Sequence, residues 1–204
     1  SSDVDMENRS VRSVVETSKS KKLGTVLKHF PGYGNNSDTH TGIAYDDRDY
    51  SEFENTDFKP FYQGIESGAD CILVSHNIVN CMDSEYPASL SQKVHDILRN
   101  EFKFDGVIMT DDLIMDAITD FTGDEAAAVT AAKCGNDLLC CSSVNTQYPA
   151  VLEAVQNGEI PEAQVDASVK RILKWKQNLG IFSIDTYQKK VKSTEPTDTV
   201  GSEE

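Results

Sequence analysis

Four times along the chain a short apolar run ends in titratable or hydroxyl side chains and gives way to a helical pattern. This alternation restricts the fold more than any other feature. The runs occupy residues 23–27, 71–75, 106–110 and 138–141. The first (Leu-Gly-Thr-Val-Leu) is suited to a strand buried on both faces, and it is stopped by Pro31-Gly32 and Gly34. Between the runs, residues 57–68 read as a helix with Phe58, Phe61 and Ile65 on one side and a glycine stop. Ser89 to Gln92 has capping-box spacing, and Leu90, Val94, Ile97, Leu98 and Phe102 follow at helical intervals. Further helices are expected over about 124–134, 148–156 and 161–179, the last with Val165, Val169, Ile172 and Leu173 on its core face and Pro161 suited to the first turn. Strands alternating with helices imply a parallel sheet with right-handed crossovers. The strand tips fall at His29, His76, Asp111 and Ser142, at intervals of 47, 35 and 31 residues.

The 204 residues divide into a polar segment (1–22) with a short helix expected over about 10–19, a body (23–188), and a tail (189–204). The tail is rich in Lys, Ser, Thr, Glu, Pro and Asp and is expected to be disordered. The body is long enough for one domain with a sizeable core, and 38% hydrophobic with 26% charged residues is ordinary for a globular protein. A net charge of −15 argues against nucleic acid or an anionic membrane as partner and is silent on a neutral sugar. No apolar run reaches roughly 18 residues, and the start carries no signal-peptide pattern. Because the chain begins at Ser1 instead of Met, further sequence upstream is expected. The five cysteines, Cys71, Cys81, Cys134, Cys140 and Cys141, form no C-x-x-C pair and have no histidine at zinc-ligand spacing, so no metal site is expected. An odd count does not make a disulfide framework and leaves the compartment open.

Chemistry gathers where the first run ends. Lys28-His29-Phe30-Pro31-Gly32-Tyr33-Gly34 is followed by Asp38-Thr39-His40. Lys28 and His29 are expected at the strand's C-terminal tip. Asp38 can bond one imidazole nitrogen of His40 and leave the other for a substrate, an arrangement able to move protons near pH 7. At the third tip stand Asp111 and Asp112, whose side chains, on successive strand positions, cannot both point into one site. A carboxylate at a strand tip can attack an anomeric carbon, or one of the two acids merely caps the next helix, a job Asp112 or Asp116 can do as well. His95 has no motif around it and reads as a surface residue of its helix. Trp175 reads as packing, not as a sugar platform.

The string KHFPGYG, then D-x-H, then Ser75-His76, then Thr110-Asp111-Asp112-Leu113 resembles the β-N-acetylhexosaminidase branch of glycoside hydrolase family 3, over about 23–182. The resemblance implies an α/β fold of the (β/α)8 TIM-barrel type, with the active site at the strand tips. A barrel needs eight strands and typically about 250 residues. Four βα units are legible here, so the chain resembles the C-terminal half of a family barrel. By the same resemblance, Asp111 is the catalytic nucleophile, His40 the general acid/base and Asp38 its orienting partner. Lys28 and His29 bind sugar hydroxyls, His76 lies near the site, and Arg9, within an Arg9-Ser10 pair, contacts the sugar. Arg9 as a solvated side chain and His76 as a structural one stay open. Tyr33 stands where many relatives have histidine, a departure that leaves the downstream dyad untouched.

The implied function is a retaining exo-β-N-acetylglucosaminidase, free of cofactor and metal, that removes terminal β-linked N-acetylhexosamine from cell-wall or chitin-type sugars through a glycosyl-aspartate intermediate. Two readings stand beside it: the same site using phosphate as acceptor, and a barrel portion that is inactive or depends on assembly with a missing half or a second copy. Bacterial relatives occur in the cytoplasm and as secreted or cell-surface proteins.

Overall fold

A computed structural model of the protein describes residues 3–34, 42–122 and 124–188. The tail, and the loop carrying Asp38 and His40, lie outside these described residues.

The chain opens with α1 (Val4–Ser20), longer than the helix expected over 10–19. The acids that make this segment look merely polar are its start signal. The Asp3 carboxylate accepts the Met6 N–H at 2.9 Å, and Asp5 and Glu7 sit in the first turn, where the helix dipole favours negative charge. Val15 is buried, and Arg12 donates to Gln63 at 2.8 Å. Strand β1 (Val26–Phe30) begins three residues later than its apolar run. Leu23 is 63% and Val26 40% exposed, whereas Phe30 is fully buried, so Phe30 anchors the strand and Lys28 and His29 lie inside it instead of at its tip. The expectation of a strand buried on both faces fails as well: among the described residues β1 lies at the edge of its sheet, and Val26 and Lys28 are exposed.

Next come β2 (Tyr45–Asp46), α2 (Tyr50–Asn55) and α3 (Phe58–Glu66), then β3 (Cys71–Val74), buried at every position, and β4 (Ile78–Val79). Ser91, not Ser89, caps α4 (Gln92–Asp96), accepting the Val94 N–H; the helix runs on into a wider π turn at Ile97–Glu101. Then follow β5 (Val107–Thr110), α5 (Asp116–Thr122), α6 (Asp124–Lys133), α7 (Val144–Gln156) and α8 (Glu162–Asn178).

The main sheet is parallel, in the order β1-β3-β5, with β2 and β4 forming a small parallel pair beside it. The expected fourth strand is reduced to one bridge: Met109 pairs with Leu138, and the backbone of 138–140 then follows β5 through bonds to Ile108, Thr110 and Leu113. Between the sheet and α3 and α4 lies an aromatic cluster. Phe30 stacks on Phe58 at 5.6 Å and meets Phe61 and Phe102 edge-on at 5.1 and 5.5 Å. Such pairs add roughly 0.5–1.5 kcal/mol each beyond the area they bury.

Two expectations are corrected here. His95 is buried, 1% exposed, with Nδ1 2.7 Å from the Ser91 carbonyl oxygen; its ring faces the interior beside Cys134 and Gly135, in the turn that follows α6. The apolar stripe of α8 is not a core face: Val165 and Val169 are 36% and 44% exposed, and α8 has no fully buried residue. Polar contacts hold it instead, from Gln164 to the Ala132 carbonyl and from Ser168 and Arg171 to Asp137.

Candidate active site

The parallel register sets the site. Pairing of β3 with β5 runs from Cys71 with Val107 to Val74 with Thr110, so both strands end together. The Asp111 N–H continues the ladder by donating to the Val74 carbonyl at 3.2 Å, and the Ser75 N–H donates to the Phe30 carbonyl at 2.9 Å. His29, Ser75-His76 and Asp111-Asp112 are thereby brought to one edge.

Asp111 Oδ2 lies 3.7 Å from His29 Nε2, both side chains about 30% exposed, and its Oδ1 accepts the Asp112 N–H at 2.9 Å. Asp112, in the turn just beyond β5, takes different partners. Its Oδ1 accepts the N–H groups of Ile114 and Ser142, each at 3.2 Å, and its Oδ2 takes the Ser142 hydroxyl. Burial works to raise the Asp112 pKa, but these bonds outweigh it and hold the carboxyl below its ordinary value. Asp112 is thus the acid that caps a turn, and Asp111 the one that faces His29.

Lys28 and His29 line a cleft of about 680 Å³ with Gly32, Tyr33, Gly34, Arg48 and Asp57. The His29 and Tyr33 rings meet edge-on at 5.6 Å. Asp111 stands outside this lining, in contact with it through His29. Arg48 was not anticipated from the sequence. Its guanidinium bonds both oxygens of the buried Asp46, at 2.8 to 3.1 Å, and Asp57 at 2.7 Å, and it stacks over Phe53. The Asp46 hydrogen bond leads in raising its pKa further, so it is a fixed cation already matched by two carboxylates. The signal was present in the acid-rich string Asp46-Asp47-Arg48-Asp49.

His76 is 1% exposed, and both ring nitrogens are engaged within the protein: Nδ1 with Ser89 Oγ at 2.7 Å and Nε2 with the Asp112 carbonyl oxygen at 3.0 Å. Burial lowers its pKa. Arg9 does not join the group. It is exposed on α1, whose Val4, Glu7 and Val11 are the residues that reach the cleft.

Short parallel strands thus bring a carboxylate and a histidine together at one edge of the sheet, groups that can attack and exchange protons. Similarity to known proteins gives the family. The model of the glycosyl hydrolase family 3 N-terminal domain matches residues 1–175, and the chain belongs to that family. It is 36% identical over 159 residues to a β-hexosaminidase of Hydrogenovibrio crunogenus, an alignment covering 76% of this chain and 44% of that protein. It superimposes on a glycoside hydrolase family 3 β-N-acetylglucosaminidase from Paenibacillus sp. str. FPU-7 with a TM-score of 0.79 and 32% identity, over 83% of this chain and 34% of that one. A β-glucoside phosphorylase, BglX, gives a TM-score of 0.82 at 26% identity, over 88% of this chain and 35% of that one. The chain therefore spans less than half the length of these relatives.

Proposed function

We propose that this chain forms the C-terminal half of a (β/α)8 barrel and carries the catalytic residues of a retaining exo-β-N-acetylglucosaminidase acting on cell-wall or chitin-type sugars. The observation that carries the reading is the division of labour at the tip of β5, where Asp112 is consumed by structural hydrogen bonds and Asp111 is left beside His29. Asp111 attacks the anomeric carbon as His40 protonates the departing oxygen, giving a glycosyl ester. His40, now neutral, takes a proton from water, which displaces Asp111 with net retention. Asp38 orients the His40 imidazole, and Lys28 and His29 hold sugar hydroxyls. Arg9, exposed on α1, has no part in this proposal.

The experiment is hydrolysis of a 4-nitrophenyl N-acetyl-β-glucosaminide and of an unactivated disaccharide. Asp111→Ala abolishes both; His40→Ala spares the first-turnover burst of phenolate, which departs without a proton, while later turnovers slow. A His40→Ala protein whose first turnover is equally slow on both substrates overturns the assignment.

The fold shared with a phosphorylase favours a second reading, phosphate as acceptor in place of water. Product analysis with and without phosphate separates the two. Assembly belongs to the same proposal: Val144, Tyr148 and Leu152, one turn apart on α7, are 41–63% exposed, and pairing with an upstream half or a second copy covers them. Size-exclusion chromatography reads that association.

A further inference from the structure

We infer that His76 acts as a positioning residue, fixing the turn that aims Asp111 without touching the sugar. The inference rests on the reading of Asp111 as nucleophile. The peptide unit joining Asp112 to Leu113 is clamped at both ends. Its carbonyl oxygen lies 3.0 Å from His76 Nε2, and its N–H donates to the Cys140 carbonyl at 3.1 Å. A carbonyl can only accept, so Nε2 carries the proton. Nδ1 is then an acceptor, and the buried Ser89 hydroxyl, 2.7 Å away, donates to it.

Ser89 is itself immobilised. Its N–H donates to the Ser75 carbonyl at 2.9 Å, and its own carbonyl accepts from Asn136 Nδ2 at 2.8 Å. A chain of oriented donors thus runs from the interior through Ser89 and His76 to the backbone immediately after the proposed nucleophile. With both nitrogens committed and 1% of the residue exposed, His76 has no face left for a substrate. Asp111 is tied to the same turn through the Asp112 N–H on its Oδ1, so rotation of the turn moves the attacking carboxylate. A misplacement of this kind costs turnover more than binding.

Two substitutions separate the clamp from simple packing. His76→Gln can return an N–H near the Nε2 position, whereas His76→Asn can return only an acceptor near Nδ1. The wild-type chain is read first by ring ¹⁵N NMR at pH 8, which needs no activity: the Nε2–H tautomer is expected, and the Nδ1–H tautomer overturns the proposal. Amide exchange at Leu113 is expected to quicken about tenfold in His76→Asn and to recover in His76→Gln. Where the chain turns over substrate, kcat falls in His76→Asn with KM nearly unchanged and is largely restored by His76→Gln. Equal Leu113 exchange in the two variants, or a rise in KM alone, overturns the clamp. An inactive wild type with the Nε2–H tautomer and the ranked exchange rates counts against the proposed function and leaves the clamp supported.

Discussion

Asp137 gives the sharpest test of how the sheet carrying Asp111 is held. Its side chain is fully buried, and four donors converge on it: Arg99 at 2.6 Å and the Ile108 N–H at 2.9 Å on Oδ2, and Ser168 at 2.8 Å and Arg171 at 2.9 Å on Oδ1. It therefore ties β5 to α8 and to the turn after α4. Asp137→Asn keeps the shape but replaces one acceptor oxygen by a donor and leaves two guanidinium groups facing no charge there. Breaking a buried ion pair from one side costs roughly 3–5 kcal/mol. The Arg99 and Arg171 side chains are 21% and 27% exposed, so water screens part of the loss and the low end applies, about 3 kcal/mol. Urea unfolding at pH 7 is the assay. With a slope of about 2 kcal/mol/M, the midpoint should fall by about 1.5 M at unchanged slope. A loss below about 1 kcal/mol would refute the reasoning, because the guanidinium groups would then be solvated in the folded state without Asp137.

Burial lowers the pKa of both His76 and His95 below 6.5. The unfolded chain therefore takes up protons first as pH falls. Their contribution to stability is complete above about 6.5 and is lost as pH drops from there through the folded values, by at most about 1.4 kcal/mol per pH unit per histidine. Unfolding free energies between pH 7.5 and 5 should decline accordingly, and a flat profile contradicts the assignment; the lowered carboxyls of Asp83 and Asp112 act below 3.8 and do not confuse it. Cysteine reactivity supplies another check. Cys81 is exposed, whereas Cys71 and Cys134 are buried with thiols pushed up to about 12, so a thiol reagent should label Cys81 early and those two only on unfolding. Labelling of Cys134 at the rate of Cys81 would show that the packing around His95 is open.

Where the sequence reading succeeded, a single cause governed both pattern and structure. Cys71–Val74 and Val107–Thr110 are apolar because they are buried, and the parallel register then delivers Asp111 to the edge where it was sought. It failed where two causes compete. The run at 23–27 is apolar, but Phe30 and its aromatic partners decide where β1 sits. Ser89 has capping spacing, yet its hydroxyl is spent on His76 and Ser91 takes the cap. His95 carries no motif because its role is to fill a polar gap beside Cys134, a matter of tertiary contact. The stripe on α8 reads as core because periodicity reports that a face is apolar, not that the described residues cover it. The Arg48–Asp46 pair is not legible in the sequence as a buried one, because its residues look like surface charge until the fold encloses them.

The central claim is that Asp111, and not its neighbour, forms the bond to the sugar. The most direct measurement is intact-protein and peptide mass spectrometry of the His40→Ala chain during turnover of a 4-nitrophenyl N-acetyl-β-glucosaminide, where glycosylation stays fast and hydrolysis of the intermediate stalls. The account predicts one added N-acetylglucosaminyl group on the peptide spanning Val107 to Met115, with fragment ions assigning it to Asp111. An adduct on Asp112, or phenolate release at the wild-type rate with no adduct at any time, would contradict it.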